Sequence, residues 1–386
     1  MRSALTGVLG VAALAAAWLL LWPVPFKPYA WTPPPDPGTG AGSPFRPTQS
    51  LSVEREFASS VIDTKRRDAG SSSDFGPEDV AVRPGEGRLY TGIGDGNILR
   101  IDPASGETSF FAHTGGRPLG VAFDAAGDTL FVADAKLGLL AVDRAGGVTV
   151  LADSAEGEPA TFVDNLDVQA DGTVWFSAPS RAHPLAQVGL DVWEGRPTGR
   201  LLRYDPGTRT AQVVLDNLFY ANGVALAADE SFVLVAEFLA YRITRHWLKG
   251  ERAGTHEVFV DGLPGYPDNI TRTPAGDFLV GLSLQRVSAL DRLRPHPTAV
   301  KALYRLPKAL APKPQYPGYL LEFDAQGRLR RFAADERPGI TSQVTAGAVI
   351  GTGPAGDEVV LASLRVPGLR KLTLRPADTA APTRSE

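Results

Sequence analysis

Glu78, Asp164, Asn222 and Asp268 carry oxygen donors suited to a hard metal ion, and all four stand at the same position of a motif that recurs along the chain. The copies read PEDVAV from Pro77, PLGVAF from Pro118, VDNLDV from Val163, ANGVAL from Ala221, PDNITR from Pro267 and, more weakly, TSQVTA from Thr341. Their second residues are Glu78, Leu119, Asp164, Asn222, Asp268 and Ser342. A single Asp or Asn ahead of a strand is ordinarily a turn residue bonding its own backbone. Recurrence changes that reading, because three carboxylates gathered by a closed ring repel one another unless a cation lies between them. Carboxylate and amide oxygens are the ligands Ca2+ takes, about six to eight at a time, so four protein ligands would leave room for water and substrate. Asp268 could also orient or deprotonate that water. Asp79 and Asn165, one residue further along, are either supports behind the ligands or ligands of a second ion.

Each cue opens an apolar run followed by a turn, a second strand and usually a third, as in GRLYTG then GNILRID or DTLFVAD then GLLAVD. The runs are short, β-branched and aromatic, with turns such as Asp171-Gly172 between them, which indicates strands rather than a helical repeat. Cue positions 78, 119, 164, 222, 268 and 342 recur at about the 40–50 residues of a propeller blade, with two longer gaps. The expected fold is therefore all-β, one six-bladed β-propeller over 51–375, with the strand near Leu51 to Phe57 completing the last blade. The long gaps correspond to insertions at about Pro179 to Pro197 and Leu284 to Pro317, expected as loops over the end of the ring where a ligand enters.

Composition narrows the function. The chain has 386 residues, 43% of them hydrophobic, and no cysteine, which excludes disulfides, thiol nucleophiles and cysteine-held metals. A net charge of -4 with interspersed Lys, Arg, Asp and Glu offers no nucleic-acid surface. His113, His183, His246, His256 and His296 show no metal-binding spacing. Ser283 and Ser363 lack a nucleophile elbow, and Gly92, Gly94 and Gly96 mark a tight turn rather than a phosphate cradle. Phe219, Tyr220 and Tyr266 flank the cues and either line a pocket or pack the core.

After Arg2, the uncharged run Ala4 to Trp22 is long enough to span a bilayer, with Trp18 and Trp22 placed for an interfacial belt. It ends in Leu-Leu-Leu-Trp rather than in small residues, so 1–22 is expected to be an uncleaved signal anchor, a transmembrane helix, with a cleaved signal as the alternative. Localisation is accordingly single-pass in a membrane, with the propeller on the non-cytoplasmic side, periplasmic or extracellular. Residues 23–50, rich in Pro, Gly, Thr and Ser, are expected as an unfolded stalk, and 376–386 as a disordered tail.

The segments GPEDVAV, GRPLGVAFD, GRLLRYDP, LDNLFYANGVALAADESFVLVAE, YRITRHWLKG, FVDGLPGYPDNI and GYLLEFD resemble the calcium-dependent six-bladed propeller hydrolases, which include gluconolactonases and paraoxonase-like enzymes. The similarity spans about 70–375 and is strongest to the strictosidine-synthase-like branch that includes adipocyte plasma membrane-associated protein. It implies calcium in the central tunnel, held by Glu78, Asn222 and Asp268 with Asn269 joining them. At the third cue the branch pattern Asn-Asp is replaced by Asp164-Asn165, which puts a carboxylate at the ligand position. The synthase glutamate near the sixth cue is replaced by Ser342, next to Gln343, and the paraoxonase His pair near the second cue is absent, with Leu119 there. What is expected is thus a calcium-dependent hydrolase of a small ester, lactone or related substrate, with Asp268 as catalytic residue. The alternative is a non-enzymatic binding or scaffold propeller that keeps the ion for structure. The partners expected are a small-molecule substrate and the membrane.

Overall fold

A computed structural model describes residues 18, 21–57, 76–160, 162–307, 309–335, 341–366 and 368–376. Six antiparallel sheets of four strands each, the fifth carrying one extra strand, follow one another along the chain, as the six cues predict. Blade 1 runs from Ala81–Val82 to Thr108–His113, and blade 4 from Ala221–Leu226 to His256–Val260. Blade 6 takes Val344–Gly353, Gly356–Ser363 and Leu369–Leu374 from the end of the chain and Val53–Phe57 from its beginning, the last pairing antiparallel with Leu369–Leu374. The N-terminal strand thus closes the ring as its sequence suggested, and closure leaves no long unpaired inner edge.

The core lies between blades rather than within them. One apolar cluster joins Tyr90 and Ile98 of blade 1 to Val121 and Val132 of blade 2. Another joins Trp175 and Leu201 of blade 3 to Val224 and Val233 of blade 4. Phe57, Ala346 and Val360 of blade 6 meet Leu89 and Ile101 of blade 1, which seals the circle. A strand covered by a blade on each side needs apolar residues on both faces, so Phe232–Glu237 and Gly318–Phe323 are buried at every position instead of alternating.

Two expectations need correction. The insertions are not simple loops: they carry the helices Val188–Glu194, Ser288–Leu293 and Pro297–Tyr304. Leu290 and Val300 are buried there against Phe26, and that shared apolar contact gives the short helices a reason to form. The Pro/Gly-rich segment expected as an unfolded stalk is instead packed down. Phe26 and Phe45 are buried, and Gln49–Ser50 adds a parallel strand to blade 5. Among the described residues no helix is long and apolar enough to cross a membrane. The expected transmembrane helix at 1–22 falls outside the described residues except for Trp18, Leu21 and Trp22, and the expected tail falls outside them from 377 onward.

Candidate metal centre

The cue of each blade lies at or beside the start of its innermost strand, so the second and third cue residues stand at one end of the central tunnel. In blades 1 and 3 the third residue clasps the next blade. Asp79 Oδ2 accepts the Val121 amide at 3.1 Å and the Asn165 side-chain amide at 3.1 Å. Asn165 Oδ1 in turn accepts the Val224 amide at 2.8 Å. Where the third residue is Gly223, the backbone of Asp268 and Asn269 comes so close that a Cβ would sit 2.4 Å from the Asp268 carbonyl. Asp79 and Asn165 therefore stitch blades 1, 2, 3 and 4 together, and both amide atoms of Asn165 are already employed. Of the pair at the third cue, Asp164 is the one with a free oxygen.

The free oxygens are the distinctive feature. Glu78, Asp164, Asn222, Asp268 and Asn269 are all buried. Glu78 Oε2, Asp164 Oδ1, Asn222 Oδ1 and Asn269 Oδ1 are shielded from solvent without a hydrogen-bond partner. Asn269 Nδ2 donates to the Glu78 carbonyl at 3.2 Å and to Glu78 Oε1 at 2.8 Å. Both of those atoms are acceptors, so the amide cannot turn over, and its Oδ1 and the second Glu78 oxygen stay unsatisfied. Thr345 of blade 6 donates to the same Glu78 carbonyl at 2.5 Å and fixes the cue from the other side.

Charge repeats the pattern. Burial, followed by Asp164, Asp268 and Asp79, pushes the Glu78 carboxyl well above the ordinary range. Burial and then Asp268 and Asp79 do the same to Asp164, against a smaller opposing pull from Arg117. Burial pushes Asp268 up to about 6, while Ser283, Glu78 and Asn222 beside it favour its charged form. Tyr220, held at φ 62 one residue before the fourth cue, feels Asp164, Asp191, Asp268 and Glu78 together. Its phenol, held far up by burial and these charges, keeps its proton.

Among the described residues no three acidic or histidine side chains come close enough to make a metal cage by themselves. The donor set is mixed, two amides with three carboxylates, and its orphaned oxygens fit a hard cation. Each is shielded from bulk solvent and receives no donor from the protein, which is costly for buried polar atoms. Glu78 and Asn269 are joined directly, and Asp268 interacts with Glu78 and Asn222.

The candidates set aside from the sequence lie elsewhere or act otherwise. His246 packs beside the Trp175 ring at 6.0 Å, between blades 3 and 4. Ser342 donates to the Tyr316 carbonyl at 3.0 Å. Ser283 proves to be a neighbour of Asp268 rather than a nucleophile. It sits on the strand Phe278–Gln285, which pairs with the Asp268 strand, and only that register reveals it. Sequence reasoning also missed Asp191 in the first insertion. It is buried and pushed up to about 6 by burial, it accepts Ser180 Oγ at 2.7 Å, and its charge reaches Tyr220 from above.

The clasp and the free oxygens separate experimentally. Asn165→Ala should destabilise the fold by about 1–3 kcal/mol for each of the buried partners it leaves unpaired. Asp164→Ala leaves those bonds intact and should instead weaken calcium binding. Urea unfolding and calcium titration of both variants check the pair.

The chain is similar to known proteins. The family model for strictosidine synthase matches residues 164–251, and that for the strictosidine synthase-like N-terminal region matches 70–101. Strictosidine synthase-like protein 10 of Arabidopsis thaliana is 37% identical over 297 residues, 67% of this chain and 79% of that protein. Strictosidine synthase-like protein 13 of the same plant is 34% identical, covering 68% and 73%. Hemomucin of Drosophila melanogaster, an adipocyte plasma membrane-associated protein, is 34% identical over 65% of this chain and 43% of its own length. A gluconolactonase from Xanthomonas campestris superposes with a TM-score of 0.56 at 17% identity, over 78% of this chain and 86% of that one. Regucalcin of Agrobacterium tumefaciens, a calcium-binding protein, does so with 0.57 at 15%, over 86% and 96%. At such identities these two structures support the fold alone.

Proposed function

Because the chain belongs to the strictosidine synthase-like family of propellers, we propose that it is a calcium-dependent hydrolase of a small ester, lactone or related molecule. The observation that carries this reading is the set of buried, unpartnered oxygens on Glu78, Asp164, Asn222 and Asn269, of which Glu78 and Asn222 neighbour Asp268 and Asp164 feels its charge. Those five side chains would hold the ion. Calcium bound there would supply electrophilic stabilisation of charge developing on a carbonyl or phosphoryl oxygen.

The rest belongs to the chain's own residues. Asp268, pushed up to about 6, is largely ionised at neutral pH, so it can accept a proton from water. Ser283 and Asn222 lie beside that carboxylate and favour its charged form. Tyr220 keeps its proton and can donate a hydrogen bond to a substrate oxygen. The insertions leave blades 3 and 5 at the cue end, and Leu185, Val188 and Val192 of the first pack against the cluster that holds Tyr220 and Tyr266, which would limit the water that reaches the site. With Ser342 at the sixth cue, its hydroxyl already spent on the Tyr316 carbonyl, this chain lacks an acid/base group for amine–aldehyde condensation there. We also propose that Ala4 to Trp22 anchors the chain in a membrane, with the propeller outside the cytoplasm. The support is an uncharged run of bilayer length.

The test uses the full chain, because cutting at residue 50 would strip Phe26, Trp31 and Phe45 from the packed surface. Aryl esters, lactones and organophosphates are offered with calcium and with chelator. Turnover present with calcium, lost with chelator and restored by calcium supports the hydrolase. Stabilisation by calcium without turnover on any class would instead mark a binding propeller with a structural ion.

A further inference from the structure

The segment before the propeller is a strap, and it crosses the roof of the candidate site. The Arg305 guanidinium donates to the Trp22 carbonyl. Phe26 is buried with Leu290 and Val300, its ring edge-on to Tyr304 at 4.9 Å. The Tyr29 amide donates to the Glu194 carbonyl at 2.8 Å, and Trp31 lies 4.7 Å from the Phe219 ring. Arg286 donates to the carbonyls of Pro34 at 2.6 Å and Pro35 at 3.2 Å. The strap thereby ties Val188–Glu194 to Ser288–Leu293 and Pro297–Tyr304, and strap and helices form one cap over the cue end.

The outer face of this cap is apolar where it should be wet. Leu21 is 78% exposed, Leu310 69% and Trp22 60%, and Trp18, Tyr29 and Tyr304 are exposed beside them in sequence or packing. The other exposed large apolar residues among those described, Phe110, Val150 and Val258, sit singly on the outer strands of blades 1, 2 and 4. Scattered exposed residues are ordinary, whereas aromatic and aliphatic side chains concentrated on one end mark an interface. Basic Lys27, Arg292 and Lys313 are exposed on the same cap, the charge that lipid phosphates attract. The occupant follows from the chain itself. The sequence entering the cap at Trp18 is uncharged and apolar from Ala4 onward. Arg305 holds Trp22 to the cap, so no spacer separates that run from the propeller.

We propose that this cap lies on the bilayer surface, bringing the roofed end of the candidate site to the lipid. The inference rests on the membrane anchoring proposed above and deepens it: the propeller is docked on its cue end rather than held away on a stalk. The absence of cysteine allows unique labelling. Full-length L310C and V150C carrying a nitroxide are reconstituted in phosphatidylcholine/phosphatidylglycerol vesicles, and collision with lipid-soluble oxygen is compared with collision with a water-soluble nickel chelate. The oxygen-to-nickel ratio at position 310 should exceed that at 150 by about tenfold, as expected for a side chain at the lipid interface. Equal ratios at the two positions would overturn the docking. Calcium-dependent hydrolysis measured in the same vesicles keeps the two readings apart, since a docked but inactive protein removes the hydrolase and leaves the cap on the membrane.

Discussion

Chelation of calcium should lower the melting temperature of the full chain by on the order of 8 °C, from about 4 kcal/mol of linkage at an ion concentration about 1,000 times Kd and roughly 2 °C per kcal/mol. The loss should depend on pH in a direction fixed by the buried carboxylates. Glu78 is raised by burial and by Asp164, Asp268 and Asp79, Asp164 by burial and by Asp268 and Asp79, and Asp268 is pushed up to about 6. Unfolded carboxylates titrate near pH 4. In the ion-free fold these groups hold protons more tightly than in the unfolded chain. Their contribution is most favourable below about pH 4 and is lost as pH rises through about 6 for Asp268 and through the raised values of Glu78 and Asp164. A bound cation cancels that repulsion. The difference between calcium and chelator should therefore be small near pH 5 and large near pH 7.5, and calcium binding should release protons across that window. Thermal melts at both pH values check the first statement, and calorimetry in two buffers of different ionisation enthalpy checks the second. Identical melts with calcium and with chelator at pH 7.5 would remove the ion from the fold.

Six blades and their closure were legible because a propeller repeats a local code: a cue, an apolar strand, a Gly or Asp turn and another strand. The strand that completes blade 6, Val53–Phe57, was legible for the same reason, as a strand-like run left over before the first cue. The candidate donor positions were visible as a phase of that repeat. Their division of labour was not. Whether Asp164 or Asn165 offers an oxygen depends on the Val224 amide and the Asp79 carboxylate, which belong to other blades. Ser283 was hidden because its place beside Asp268 follows from strand register rather than from its neighbours in sequence. The strap was misread on composition. Proline removes an amide donor but keeps its carbonyl, and the donors that hold Pro34 and Pro35 come from Arg286, far along the chain. A segment poor in apolar residues can dock when distant arginines bind its backbone and a few aromatic side chains such as Phe26 and Trp31 fill prepared nests.

Asp268→Asn should reduce turnover by about 100-fold or more, the usual scale for removing a general base, while calcium affinity falls by the smaller factor. The amide keeps an oxygen for the ion and keeps the side chain's shape beside Ser283 and Asn222, so what is lost is one charge and the ability to take a proton. If Asp268 acts only as a ligand, affinity and turnover should fall together, and saturating calcium should restore the rate. If it is the base, the rate stays low at saturating calcium, and the acid limb of the rate profile, which the bound cation draws below the ion-free value of about 6 for Asp268, disappears in the variant. Ser342→Ala is the companion measurement. Its hydroxyl bonds the Tyr316 carbonyl, so its loss should cost about 1 kcal/mol of stability and leave turnover unchanged. Activity that survives Asp268→Asn and vanishes with Ser342→Ala would move the chemistry away from the buried carboxylates to the sixth cue. There Gln343, at φ 54 with its buried Oε1 unpartnered, would be the next residue to examine.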